Sequence, residues 1–178
     1  MNNLRRLYKG IDRFTEVTGQ AVSYLILATI FIMVFEVLAR YLFNAPTKWS
    51  YDLSYMIGGT GMLLGAGFSM LHNVHVRVDI IYEKLALRKR RIIDTIGTMV
   101  FALPMITILT QDAWKEAVRV FVQGTRSDYG IWMPVLWPYR TAMAVAFVFF
   151  LLAAISFLIK NVLSLRTGED LIGKAEEL

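Results

Sequence analysis

The chain has 178 residues, 56% of them hydrophobic, with 19% charged residues, a mean hydropathy of +0.50 and a formal net charge of +5. It is too apolar for an ordinary soluble domain of this length and indicates a membrane protein. Its basic residues cluster in short stretches between apolar runs, which excludes a nucleic-acid-binding fold, and the absence of cysteine excludes disulfides, thiolate metal sites, iron–sulfur ligation and cysteine nucleophiles.

A helix needs about 20 mostly apolar residues to cross the hydrocarbon core. Four stretches free of Asp, Glu, Lys and Arg meet or approach that length: 17–35, 53–71, 95–111 and 141–159. Backbone polar groups in lipid must be satisfied internally, so such runs are helices. The expected fold is an all-α integral membrane protein, a single membrane domain over residues 1–178. It has four transmembrane helices at about 14–42, 49–72, 90–123 and 136–163, plus a short cytoplasmic interfacial helix at about 79–89.

The first helix follows Arg5, Arg6 and Lys9, as a secretory signal would. Val37-Leu38-Ala39 is a poor small-residue cleavage match, and the apolar run exceeds a signal core. At its far end Glu36 and Arg40 stand four residues apart, a spacing that allows pairing. Asp52, opening the second helix, is a candidate to share Arg40. These charges sit at a helix end, where they reach water cheaply, so they read as a structural clamp. The second helix carries GGTGMLLGAG (58–67). Gly61, Gly65 and Ser69 recur every four residues, with Gly58 one turn earlier. Small residues at this spacing let another backbone approach closely, within the chain or on a partner.

HNVHVRVD (72–79) follows. His72 and His75 are the chain's two histidines, too few for zinc, which takes three or four protein ligands, and unsuited to a bis-histidine haem between facing helices. No metal or other cofactor is expected. Asp79 is placed to cap the interfacial helix. Ile80, Ile81, Leu85 and Leu87 form its apolar face, and Arg88, Lys89, Arg90 and Arg91 anchor it to anionic lipid. The third helix contains Pro104, which removes a backbone donor and kinks a helix. Its helical pattern continues past Gln111 with Trp114, Val118 and Phe121 on one stripe, and stops near Gly124. TRSDYGIWMPVLWPYR (125–140) is an aromatic, proline-broken loop. The fourth helix is apolar throughout.

Lysine and arginine concentrate in the N-terminal tail, in the stretch from Arg77 to Arg91 and in the C-terminal tail. The positive-inside bias therefore puts both termini in the cytoplasm. Trp49, Trp114, Trp132 and Trp137 then lie on the outer side, where tryptophan favours the headgroup level. No midplane charge, broken helix pair or inverted repeat marks a transport site. Three readings fit: an accessory subunit of a transporter, a membrane-anchor subunit of a respiratory or redox complex, and a small autonomous channel or exporter.

Three segments carry a resemblance: ARYLFNAPTKWSYDLSYM (39–56), LLGAGFSMLHNVHVRVDIIYEKL (63–85) and RKRRIIDTIGTMVFALP (88–104). Together they resemble the small membrane subunit, DctQ type, of tripartite ATP-independent periplasmic (TRAP) transporters. The motif positions are Arg40, Trp49, Asp52, His75, Arg77 and Asp79. The fourth helix matches only in hydropathy. The resemblance implies a non-enzymatic permease subunit of the bacterial inner membrane. It would support a large membrane subunit, which holds the substrate and coupling-ion (sodium) sites, and a periplasmic substrate-binding protein that captures an organic acid. The expected partners are these two proteins and membrane lipids. Gly58, Gly61, Gly65 and Ser69 are the expected helix-packing or partner interface. Trp114, Arg119, Arg126, Asp128 and Trp132 are the expected docking surface for the binding protein.

Overall fold

The computed structural model describes residues 2–72 and 86–168. Its regular elements are α1 (Asn2–Leu42), α2 (Ser50–Leu71), α3 (Leu87–Gly97), a π-helical turn (Thr98–Ala102), α4 (Leu103–Gln123) and α5 (Trp137–Thr167). Among the described residues, strand pairing is limited to one antiparallel bridge between Arg126 and Val135.

Three helical stretches are long and apolar enough to cross a membrane: Arg5–Leu42, Arg88–Gln123 and Trp137–Thr167. The second joins α3, the π turn and α4 in one unbroken path. The irregularity expected at Pro104 takes the form of the π turn. Proline has no N–H for the carbonyl four residues back. The helix widens just before it, and Leu103 N–H donates to Thr98 O. At 22 residues α2 has the length of a span, but its five glycines and Ser50, Asp52 and Ser54 make it less apolar than the other three.

Helix ends differ from the expected boundaries where no breaker intervenes. α1 begins at Asn2, well before residue 14, and α5 runs on to Thr167. Both α4 and α5 end on a glycine in the left-handed region, Gly124 (φ 61) and Gly168 (φ 74), a conformation glycine adopts at no steric cost. Of the expected interfacial helix, residues 79–85 lie outside the described residues, and Leu87–Lys89 belong to α3.

α5 is the hub: it packs on α1, α2, α3 and α4, while α2 also packs on α1. Its buried positions are largely small, with Ala144, Ala146, Ala153, Ala154 and Ser156 among them, and small side chains let neighbouring backbones come close. One core cluster joins Met70 of α2, Ile106 of α4 and Ala154 and Phe157 of α5. A second, near the other end, joins Val120, Leu136 and Tyr139. By contrast α1 leaves Tyr24, Ile30, Phe31, Val34, Val37 and Leu38 exposed, and α4 leaves Met105, Ile108, Val118 and Phe121 exposed. A soluble monomer rarely exposes apolar surface on this scale. Lipid or a partner subunit is the surrounding such faces require.

Candidate functional site

The charged and polar side chains gather at the two ends of the bundle. At the first end, α1 stops at Leu42 and Asn44 turns left-handed (φ 52), which a short polar side chain tolerates. Ala45 N–H then reaches back to Ala39 O at 3.0 Å. This reversal brings Thr47 onto Glu36. Thr47 N–H donates to Glu36 Oε2 at 2.9 Å, and its hydroxyl donates to the same oxygen. Arg40 donates to Oε1 through Nε (3.0 Å) and Nη2 (2.5 Å). Each carboxylate oxygen of the buried Glu36 thus has two donors, the condition under which a charge can leave water. Trp49 stacks on Phe35 with ring centroids 6.1 Å apart.

Asp52 does not share Arg40, contrary to the sequence expectation. Arg40 is engaged by Glu36 of its own helix. Asp52 is fully buried and faces the loop between α4 and α5. Ser127 Oγ donates to Asp52 Oδ1 at 3.0 Å, and Oδ2 has no protein partner among the described residues. Gly130 lies so close to that carboxylate that a Cβ there would overlap it. The loop holds its shape through Ser127 N–H to Pro134 O (2.8 Å) and Leu136 N–H to Thr125 O (3.0 Å). Tyr55 of α2 meets Tyr129 of the loop and Tyr139 of α5, with centroids 5.1 and 5.4 Å apart. The aromatic loop is therefore a fixed cap across the start of α2, pinned on a buried carboxylate.

At the opposite end, Lys160 of α5 is 2% exposed and its Nζ lies 2.6 Å from Asp12 Oδ2 of α1. Ser156 Oγ donates to Asp12 Oδ1 at 2.6 Å, and the Tyr8 ring lies 5.8 Å from the ammonium. Beside them Asn161, fully buried, donates through Nδ2 to Phe157 O at 3.1 Å. A second polar contact at this end joins α1 to the end of α2: His72 Nε2 to Glu16 Oε2 at 2.9 Å, partly exposed. Glu16 and Glu36 are separated by about 30 Å of helix axis, the thickness of a hydrocarbon core. The charged clusters on α1 are thus one bilayer apart.

The glycines of α2 serve two neighbours. Gly61 and Gly65 face Val22 and Leu25 of α1 at ordinary van der Waals distance. Gly59 and Gly67 face α5: a Cβ at Gly59 would lie 2.9 Å from the Tyr139 hydroxyl, and one at Gly67 3.6 Å from Phe150 Cα. Gly58 is exposed and Ser69 half-buried. His75, Arg77 and Asp79 lie outside the described residues. Trp114 and Trp132 are each about half exposed, and Arg126 and Asp128 are exposed on the cap. Arg119 is ion-paired with Glu116. Trp114 and Arg119 lie on α4, and the other three in the loop after it.

Sequence reasoning missed Asp12, Lys160 and Ser156, and it missed Ser127 and Gly130 as the partners of Asp52. One signal was present. Ser156, Lys160, Asn161 and Ser164 fall at helical spacing and form a polar stripe on the last turns of an otherwise apolar helix. Nothing in the sequence states which helix answers that stripe.

Long apolar helices, exposed apolar faces and charges confined to the two ends define the class: a multi-pass α-helical membrane protein. Within that class the chain belongs to the DctQ component family of tripartite ATP-independent periplasmic transporters, whose family model matches residues 29–164. Comparison with curated proteins and with solved structures gives no match.

Proposed function

We propose that this chain is the static scaffold subunit of its transporter. In this reading it supports a large membrane subunit and receives a periplasmic binding protein during cation-coupled uptake of an organic acid across the bacterial inner membrane. Substrate and coupling-ion (sodium) sites belong to the large subunit, and this chain binds neither and catalyses no reaction. The membership of the DctQ family over residues 29–164 carries the reading. The buried charges are consistent with it. Glu36 and Lys160 are each engaged by neighbouring side chains, which suits holding helices in place better than exchanging an ion or substrate. In the same reading α2 is the fourth span, both termini are cytoplasmic and the aromatic cap lies on the outer face. Trp114, Arg126, Asp128 and Trp132 then present a mixed aromatic and charged surface to the binding protein, the composition that interfaces favour. The exposed apolar faces of α1 and α4 are left for the large subunit and lipid.

Co-purification is the test. Tagged at its C-terminus and expressed with its neighbouring large membrane protein, the chain should bring that protein down in fixed stoichiometry after detergent extraction. Purification as a free monomer from cells expressing both, or with bound haem, would refute the scaffold reading.

A further inference from the structure

An apolar groove of about 360 Å³ opens at the Glu36–Arg40 end of α1, lined by Phe35, Leu38, Ala39, Phe43, Ala45 and Thr47. Phe35, Leu38 and Ala39 share one helix face by their spacing. The chain reversal at Asn44 supplies the other wall. Thr47 belongs to both features, lining the groove while its N–H and hydroxyl hold Glu36. The groove is therefore fixed to the charged clasp beside it.

We propose that this groove binds a phospholipid, with an acyl chain against Phe35, Leu38 and Phe43 and the phosphate on Arg40. The clasp is asymmetric. Glu36 is nearly covered, its side chain 9% exposed, whereas that of Arg40 is 56% exposed. Both oxygens of Glu36 are filled. Of the five N–H donors of a guanidinium, Arg40 commits two to that carboxylate. What the clasp offers outward is cationic, and Lys48, next in sequence to Thr47, is exposed too. The depth agrees: Glu36 lies about 30 Å along α1 from Glu16, and Arg40 lies one turn beyond, where a hydrocarbon core gives way to phosphates. An apolar slot that shares Thr47 with a clasp carrying an exposed arginine fits, at that depth, a phospholipid in both its parts. The inference rests on insertion of α1 in a bilayer and not on the scaffold role; under the proposed orientation the lipid belongs to the outer leaflet.

Trp49 is a built-in reporter, because it stacks on Phe35, which lines the groove. The full chain, with Trp114, Trp132 and Trp137 changed to Phe, is reconstituted in phosphatidylcholine vesicles. These contain a small fraction of brominated-chain phosphatidylglycerol or of diacylglycerol with the same brominated chains. Trp49 quenching should show the phospholipid enriched about fivefold over the diacylglycerol, the scale of one arginine or lysine contact at a membrane surface. Ala39→Phe, which fills the groove without touching the side chains of the clasp, should bring that ratio close to one. Equal quenching by the two probes in the parent chain would overturn the proposal, and this comparison needs no groove variant. A preference that survives Ala39→Phe would also overturn it. So would loss of the preference on co-reconstitution with the large membrane subunit, since the groove would then be covered by protein.

Discussion

Replacing Lys160 by Met should destabilise the bundle far more than replacing both members of its pair. Lys160 and Asp12 form a contact of 2.6 Å with side chains 3% and 21% exposed. Breaking a buried pair from one side leaves an uncompensated charge and costs about 3–5 kcal/mol. Lys160→Met should fall at the lower end of that range, because Asp12 keeps some access to water and the Ser156 hydroxyl. Asp12→Asn should cost at least as much, since the ammonium it strands is almost fully covered. The double variant Asp12→Asn/Lys160→Met removes both charges and keeps volume and the Ser156 contact. Buried pairs replaced by uncharged groups of like size are often neutral in stability, so it should lie near the parent, and the coupling should then equal the sum of the two single losses, about 6 kcal/mol. Thermal unfolding in detergent, followed by circular dichroism, gives all four corners of the cycle. Additive effects, or single variants indistinguishable from the parent, would refute the reasoning.

Gly130→Ala should push the cap off α2, because the added carbon overlaps a carboxylate that is itself fully buried; an overpacking cost of about 1–3 kcal/mol should appear as a lower melting temperature and faster trypsin cleavage after Arg126. Unchanged cleavage would contradict the cap. Gly61→Ala should be tolerated, since its Cβ meets Leu25 and Val22 only at 3.9–4.0 Å, whereas Gly61→Leu should loosen α1 from α2; cysteine cross-linking between these helices separates the two outcomes. His72→Ala should change stability by less than about 1 kcal/mol, as partly exposed ion pairs do, and a larger loss in the same melts would show that this contact carries more than its exposure implies. Single cysteines at the exposed positions Lys89 and Asp128 should react with an impermeant thiol reagent from opposite faces of the membrane; reaction from the same face would sink the proposed orientation.

The helical class and the stop at Gly124 were legible because they rest on local signals: apolar runs and a glycine in the left-handed region. The Glu36–Arg40 pair was legible for the same reason, since four residues along a helix fix the neighbour. Asp52 shows where that reasoning fails. The short connection between α1 and α2 suggests Arg40, but its partner is Ser127, 75 residues on, and only tertiary folding brings the loop there. The Asp12–Lys160 pair was hidden for a related reason. Lys160 counts in the sequence only as a tail charge that argues for orientation, Asp12 falls outside that count, and only the unbroken start of α1 at Asn2 turns Asp12 toward α5. The glycines of α2 were legible as small residues at close-packing spacing, but those that meet a neighbour divide between α1 and α5, and the alanine-lined hub is α5. An all-round apolar helix has no periodic face from which to read such a role.

In the proposed role this chain is required for transport but moves nothing itself. Proteoliposomes containing the large membrane subunit, with its binding protein outside and an inward sodium gradient, should accumulate the organic acid only when this chain is present, while vesicles with this chain alone should show neither binding nor uptake. Uptake that is unchanged without this chain, or transport by this chain alone, would rule out the scaffold role.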